Sequence, residues 1–257
     1  MLGADTMRSM FGVEDRDRAH DRVLEMASTD SRVVAGAVLG SLALGEGDRW
    51  SDLDLMFAIA DGVPVADVLA DWTRSLADDL HAVHLFDLPA AATIYRVFVL
   101  PGCLQLDLSF TPAAEFGAAG PKFRLLFGSA VDKPYGRSPA PEELFGLAVH
   151  HALRARFCIE RGRYWQAEYW ISGVRDYALS LACRRRELPA HHGRGFDDLP
   201  AEVLDGFNDA LVRSPDREEL LRALSSAIAG LQRENAEVQD LAGMVEPQLR
   251  ELMAAGS

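Results

Sequence analysis

The chain is short of cysteine, of positive charge and of long apolar runs. Its three cysteines, Cys103, Cys158 and Cys183, are far apart and odd in number. They fit neither a disulfide framework nor a zinc-ligand pattern, which excludes disulfide-stapled and zinc-finger classes. No apolar run approaches the roughly 20 residues of a membrane span. The opening MLGADTMRSMFGVEDRDRAHDR has no basic segment followed by an apolar one, so no secretory signal is expected. The expected compartment is the reducing cytoplasm. Basic residues number 26 against 39 acidic ones, for a net charge of −13. Residues 1–137 carry 12 basic and 20 acidic side chains, and residues 138–257 carry 14 and 19. Non-specific nucleic-acid binding needs Lys and Arg to neutralise phosphates, so both parts disfavour a nucleic-acid partner and favour a cationic small molecule.

What the chain does have is ordinary globular substance. Its 257 residues, 49% hydrophobic and 25% charged, suffice for one large or two modest domains, each with its own core. The first half alternates helical and strand patterns. Glu14 to Ala27 reads as an amphipathic helix, Val33 to Leu39 as a strand, and Leu42 to Leu44 as a short helix stopped at Gly45. Leu53 to Ala60 is a second strand, and Pro64 suits the first position of a helix with Val68, Leu69, Trp72, Leu76 and Leu80 on its apolar face. Ala82 to Leu85 reads as a short strand, with Asp87 in a loop beside Leu88 and Pro89. Thr93 to Leu100 and Leu104 to Phe110 are β-branched and aromatic, joined by Pro101-Gly102-Cys103. Arg124 to Phe127 completes the strands.

Val131 to Pro141, with three prolines, reads as a linker. Beyond it the pattern is helical: Glu142 to Glu160, Arg163 to Arg186, Glu202 to Val212, Arg217 to Leu231, and Asn235 to Met253 with a break near Pro247. Tyr164, Ala167, Ile171, Val174, Ala178 and Leu181 recur three and four apart, the seam of a helix packed along a neighbour.

The chemistry concentrates in Val33 to Ala60. Gly40 permits a tight turn and close backbone approach. Ser41 can cap the short helix that follows, and its hydroxyl can reach a phosphate. Asp52 and Asp54 are two apart on a strand, so both carboxylates point to one face. Two such acids repel each other unless a cation lies between them. On the later strand Gln105, Asp107 and Ser109 share a face opposite Leu104, Leu106 and Leu108, which makes Asp107 a third acid. Mg²⁺ takes oxygen ligands, commonly one or two carboxylates plus phosphate. A two-metal clamp would stabilise both oxygens of an in-line displacement.

Gly40-Ser41, ten residues, then Asp52-Leu-Asp54-Leu, with Asp107 apart, resembles the signature of the polymerase-β-type nucleotidyltransferase superfamily. The string GSLALGEGDRWSDLDL is similar to the antibiotic nucleotidyltransferases that act on aminoglycosides and lincosamides, and Gly45-Glu46-Gly47-Asp48 followed by Ser51-Asp52 most resembles the lincosamide enzymes. The resemblance implies an α+β chain with a small mixed-sheet nucleotidyltransferase domain (1–137), followed by a C-terminal helical bundle that binds the acceptor (138–257). It implies transfer of a nucleoside monophosphate, AMP from ATP, to a hydroxyl of a small cationic or sugar-containing antibiotic, with release of pyrophosphate. Asp52, Asp54 and Asp107 would be catalytic and bind Mg²⁺; Gly40, Ser41 and Ser51, with the first two acids, would hold the nucleotide. The segment RYWQAEYWISGVR resembles the base-bearing helix of the aminoglycoside 4′-enzymes, which makes Glu168 the candidate general base. A homodimer is compatible with the sequence.

Plainer readings compete. Asp52 and Asp54 can be strand-end caps, Asp107 an exposed edge acid, and Asp87 a rival third acid. Glu168, seven residues before Arg175 and among Tyr164, Trp165, Tyr169 and Trp170, would have a raised pKa if buried, or would pair with Arg175. Arg185 and Arg186 followed by His191 resemble the ribonuclease motif of HEPN-type helical toxins. The same acids would also suit a protein or RNA acceptor, or a nucleotide-binding module without turnover.

Overall fold

A computed structural model describes residues 10–254. The chain divides into two compact units, Met1–Arg137 and Ser138–Ser257. No helix among the described residues is long and apolar enough to cross a membrane.

The first unit is built on a six-stranded mixed sheet in the order β3-β4-β5-β2-β1-β6. Its elements in chain order are α1 (Val13–Thr29), β1 (Val33–Leu39), α2 (Gly40–Leu44), β2 (Leu53–Ile59), α3 (Val65–Leu80), β3 (Val83–Ala90), β4 (Thr93–Leu100), β5 (Leu104–Pro112) and β6 (Phe123–Phe127). The β2–β5 ladder is parallel, and the other neighbouring pairs run antiparallel. A parallel pair needs a crossover, supplied here by α3 and the β3–β4 hairpin. Strand periodicity sorts the side chains. Leu53, Leu55, Phe57 and Ile59 of β2, with Leu104, Leu106, Leu108 and Phe110 of β5, join one core with the apolar faces of α1 and α3. A smaller cluster of Ala35, Ala37, Met56, Ala58 and Phe116 is separate from it. Met56 and Ala58 alternate with the core residues of β2, so they lie on the other side of the sheet, the side that also carries Asp54.

The β4–β5 turn requires its glycine. Gly102 has φ 77°, and a Cβ there would meet the Phe11 backbone nitrogen at 2.7 Å. That nitrogen donates to the Gly102 carbonyl at 2.9 Å. Strand β3 departs from expectation. It is eight residues long rather than four, so Asp87 lies within a strand and not in a loop. There Asp87 accepts from Arg96 Nε and Nη2, both at 2.6 Å, and lies 3.0 Å from His84 Nε2. All eight residues of β3 are exposed, which erases the alternation that marks a half-buried strand. Pro64 precedes α3 as its N-cap instead of opening it.

The second unit is helical: α4 (Pro141–Glu160), α5 (Tyr164–Arg184), α6 (Ala201–Asp205), α7 (Arg217–Arg233) and α8 (Gln239–Ala254). Helices α4 and α5 meet through small residues, with Ala148, Ala152 and Ala155 buried alongside Ala167, Ile171, Val174 and Ala178. At Gly173 a Cβ would meet the His151 ring nitrogen Nδ1 at 2.1 Å, so the ring packs directly on the α5 backbone. The expected helix over Glu202 to Val212 is shorter and ends at Asp205. There the chain turns so that Phe207 seats on Gly230 of α7, where a Cβ would lie 2.2 Å from the ring. Helix α8 runs through Pro247 without the expected break. Pro247 is exposed, so water can satisfy the carbonyl its missing N–H leaves open.

One ion pair ties the α1–β1 junction to α3. Asp30 accepts from Arg32 Nε at 2.9 Å and Nη2 at 2.8 Å, and from Trp72 Nε1 at 2.9 Å, while Arg32 Nη1 reaches Asp71 at 2.7 Å. The Arg32 fork is the main reason the Asp30 carboxyl is lowered to about 2. A carboxyl depressed on folding stabilises above its unfolded pKa and loses that contribution as pH falls through the folded value. Asp30→Asn is therefore expected to cost on the order of 2 kcal/mol at pH 7. The difference from wild type should shrink between about pH 4 and pH 2. Urea unfolding of both proteins at pH 7 and pH 3 checks this, and an equal gap at both pH values contradicts it.

Candidate active site

The expected site residues of the first unit converge on one side of its sheet. In the parallel β2–β5 ladder Asp54 is directly in register with Asp107. Adjacent strands lie about 4.8 Å apart, so the two carboxylates leave neighbouring backbones toward the same side. Val97 of β4 pairs with Asp107, and Tyr95 pairs with Ser109, extending the row onto a third strand. Asp52 precedes β2 and is exposed, whereas Asp54 and Asp107 are half-buried.

Electrostatics link these groups. Burial pushes the Asp107 carboxyl above the usual carboxylate range, the Asp52 charge pushes it further, and hydrogen bonds from Gln105 oppose the rise. Gln105 Nε2 donates to both Asp107 oxygens at 3.1 Å. Burial also raises the Tyr95 phenol, and the Asp54 charge adds to that. Tyr95 is thus part of the acid face although its sequence context gave no sign of it; only strand order brings it there. Ser109 is fully buried, and its Oγ has no hydrogen-bond partner among the described residues.

Gly40 closes β1 against the acids. Its φ is 67°, in the left-handed region, and a Cβ on it would lie 3.8 Å from Asp54 Oδ2. Space is therefore available, and backbone conformation is what selects glycine. Ser41 Oγ donates to Ser51 Oγ at 3.1 Å. Ser51 Oγ in turn accepts from Asp48 N at 2.9 Å and donates to Asp48 Oδ1 at 3.1 Å. The expected nucleotide-holding hydroxyls, Ser41 and Ser51, therefore touch each other across the ten-residue gap.

Glu168 belongs to the other unit, on α5. It is half-buried and accepts from Ser172 Oγ at 2.7 Å. Its surroundings differ from the aromatic enclosure expected. Trp165 is 79% exposed and Tyr169 64% exposed, because they fall outside the buried seam of α5. Trp170 instead packs edge-on against His151, with centroids 4.7 Å apart. Arg175 pairs with Asp176 at 3.0 Å, not with Glu168. The arginines of the ribonuclease-like reading, Arg185 and Arg186, both face Glu234, at 3.0 and 3.5 Å.

No group of three or more His, Cys, Asp or Glu side chains among the described residues is arranged to hold a metal by itself. That does not conflict with a Mg²⁺ site of two carboxylates, because this ion keeps waters and takes phosphate oxygens for its remaining positions. The mutual repulsion of Asp52 and Asp107 fits a cation near them.

Comparisons with known proteins are sparse. No protein-family model matches the chain, and no curated protein sequence matches it. Among solved structures, the chain aligns with an aminoglycoside 6-adenyltransferase from Bacillus subtilis over 91% of this chain and 96% of that one. The identity is 9% and the TM-score 0.36, too slight an overlap to transfer an activity. The architecture itself is a mixed α/β unit with a six-stranded sheet, followed in the chain by a helical unit.

Asp107 gives this face a measurable signature. A carboxyl raised on folding costs stability wherever it is ionised, and the cost disappears as pH falls below its unfolded pKa. In metal-free buffer at pH 7, Asp107→Asn should therefore stabilise the protein. The gain should vanish below about pH 4. Thermal unfolding across that range checks it, and a destabilised variant at pH 7 contradicts the assignment.

Proposed function

We propose that the chain is a Mg²⁺-dependent nucleotidyltransferase. It moves a nucleoside monophosphate, AMP from ATP, onto a hydroxyl of a small cationic or sugar-containing molecule of the aminoglycoside or lincosamide class. The observation that carries this reading is the register of Asp54 with Asp107, with Asp52 close enough to perturb Asp107 and Gly40 packed against Asp54. Paired acids on a sheet face are costly to keep, and a polyphosphate-bound cation is the ligand that offsets the cost.

In this reading Asp52 and Asp54 hold Mg²⁺, and Asp107 completes the site or orients the acceptor. An ion held there would neutralise phosphate charge and polarise the phosphorus under attack. Ser41 and Ser51 offer hydroxyls to the triphosphate, beside the tight turn at Gly40. The acceptor oxygen bonds to the α-phosphorus, the bond from that phosphorus to the bridging oxygen breaks, and pyrophosphate departs with the electron pair. The acceptor proton passes to a carboxylate. Asp107 has the raised proton affinity such a role needs. The acidic balance of the chain favours a cationic acceptor.

A second reading keeps the chemistry and changes the acceptor to a protein. Strand β3 favours it, with Val83, Leu85, Phe86 and Leu88 all exposed on the edge of the sheet. Open edges accept a further strand from a partner.

Incubation with labelled ATP, Mg²⁺ and an antibiotic panel tests the first reading, with a gain of one nucleotide in acceptor mass as the expected product. The Asp52→Asn and Asp54→Asn variants should each lose at least about 100-fold in rate. Transfer that survives both changes together removes these acids from the mechanism. Label found only on protein selects the second reading.

A further inference from the structure

The core face of α1 contains one anomaly. Its buried residues are Arg16, Ala19, Val23, Met26 and Ala27, an apolar stripe with a guanidinium at its first position. Arg16 is 6% exposed. Burying a charge is costly unless it is well partnered. The other buried arginine among the described residues, Arg156, has Glu160 at 2.8 Å. Among the described residues Arg16 has a carboxylate no closer than Asp17, at 3.7 Å, and that residue is its own chain neighbour. Its short bond runs instead from Nη1 to the backbone carbonyl of Asp48, at 2.6 Å.

Asp48 is the hub of the loop between α2 and β2. Its carbonyl also accepts from Ser51 N at 3.4 Å, its N–H donates to Ser51 Oγ at 2.9 Å, and its Oδ1 accepts from Trp50 N at 2.8 Å. Ser51 then accepts from Ser41. An unbroken chain of hydrogen bonds thus leads from the floor of α1 to the two hydroxyls at the head of the acid face, and the next residue is Asp52. We propose that Arg16 is a positioning residue for this site: it fixes the Asp48 carbonyl, and so sets where Ser41, Ser51 and Asp52 stand before a nucleotide arrives. The inference rests on the nucleotidyltransferase reading for its functional consequence, and on the loop alone for its structural one. A guanidinium suits the task because it fixes its donors in a rigid plane, whereas the flexible stem of lysine does not.

The two levels are separated by two measurements on wild type, Arg16→Met, Arg16→Lys and Val23→Ala. Val23 is fully buried on the same face of α1, so its truncation loosens the helix packing without removing a loop bond. Hydrogen exchange of residues 45–52 should accelerate in Arg16→Met and remain at the wild-type rate in Val23→Ala. Calorimetric binding of ATP with Mg²⁺ should weaken on the order of tenfold in Arg16→Met, recover in part in Arg16→Lys, and hold in Val23→Ala. Unchanged loop exchange in Arg16→Met overturns the positioning role whatever the nucleotide does. Equal losses in Arg16→Met and Val23→Ala reduce Arg16 to a packing residue and overturn it as well. Absence of ATP binding by the wild type, with the loop exchange as expected, refutes the nucleotide reading and the functional half of this one, and leaves the structural half standing.

Discussion

Repulsion between carboxylates sharing one side of a sheet is the constraint around which the first unit is arranged. Asp54 and Asp107 come from strands far apart in sequence, and the parallel ladder sets them in register. Everything on the opposite side of β2 and β5 is apolar and deeply buried, as Leu53, Leu55, Leu106 and Leu108 illustrate. A one-residue slip would exchange the two sides, placing acids in the core and leucines outside. The hydrophobic core is thus what obliges the acids to stay together, at an electrostatic cost the core can carry.

The surrounding polar bonds favour geometry over neutralisation. Asp107 is held by the Gln105 amide, which carries no charge, and the Ser41–Ser51–Asp48 links are hydroxyl and backbone contacts. Elsewhere the same unit pairs its acids with arginines, as at Asp30 with Arg32 and Asp87 with Arg96. Structural acids are matched with cations, whereas Asp107 is oriented by a neutral amide. That contrast is the pattern expected where charge is kept for a ligand.

Much of this was readable from the residues. β1, β2 apart from Ala60, and β5 apart from its last two residues match the expected spans, because each is a mostly apolar run bounded by turn residues. The sequence pattern of β3 is shorter than the strand because all of its side chains are exposed and Pro89 argues against a strand. The acid face of each strand could be read individually. Which strands are neighbours could not, so Tyr95 and the Asp54–Asp107 pairing emerge only from the sheet order. On α5 the seam of Ala167, Ile171, Val174 and Ala178 was legible, whereas the exposure of Trp165 and Tyr169 was not. Periodicity identifies the face a helix buries and says little about which aromatic lies beyond it. The helical pattern of the α6 region runs past the helix because the seat of Phe207 on Gly230, which ends it, is a long-range contact.

The parallel ladder also dictates an order of assembly. β3, β4 and β5 are successive antiparallel neighbours joined by short turns, so they can zip together locally at low entropic cost. β2 must wait for β5, across α3 and the whole hairpin, and non-local pairings of that kind form slowly. The step that closes this long loop is also the step that brings two like charges side by side. Refolding should therefore encounter its largest electrostatic resistance late, in the same event that creates the acid face. Divalent cations in the refolding medium would act on that event more than on any earlier one.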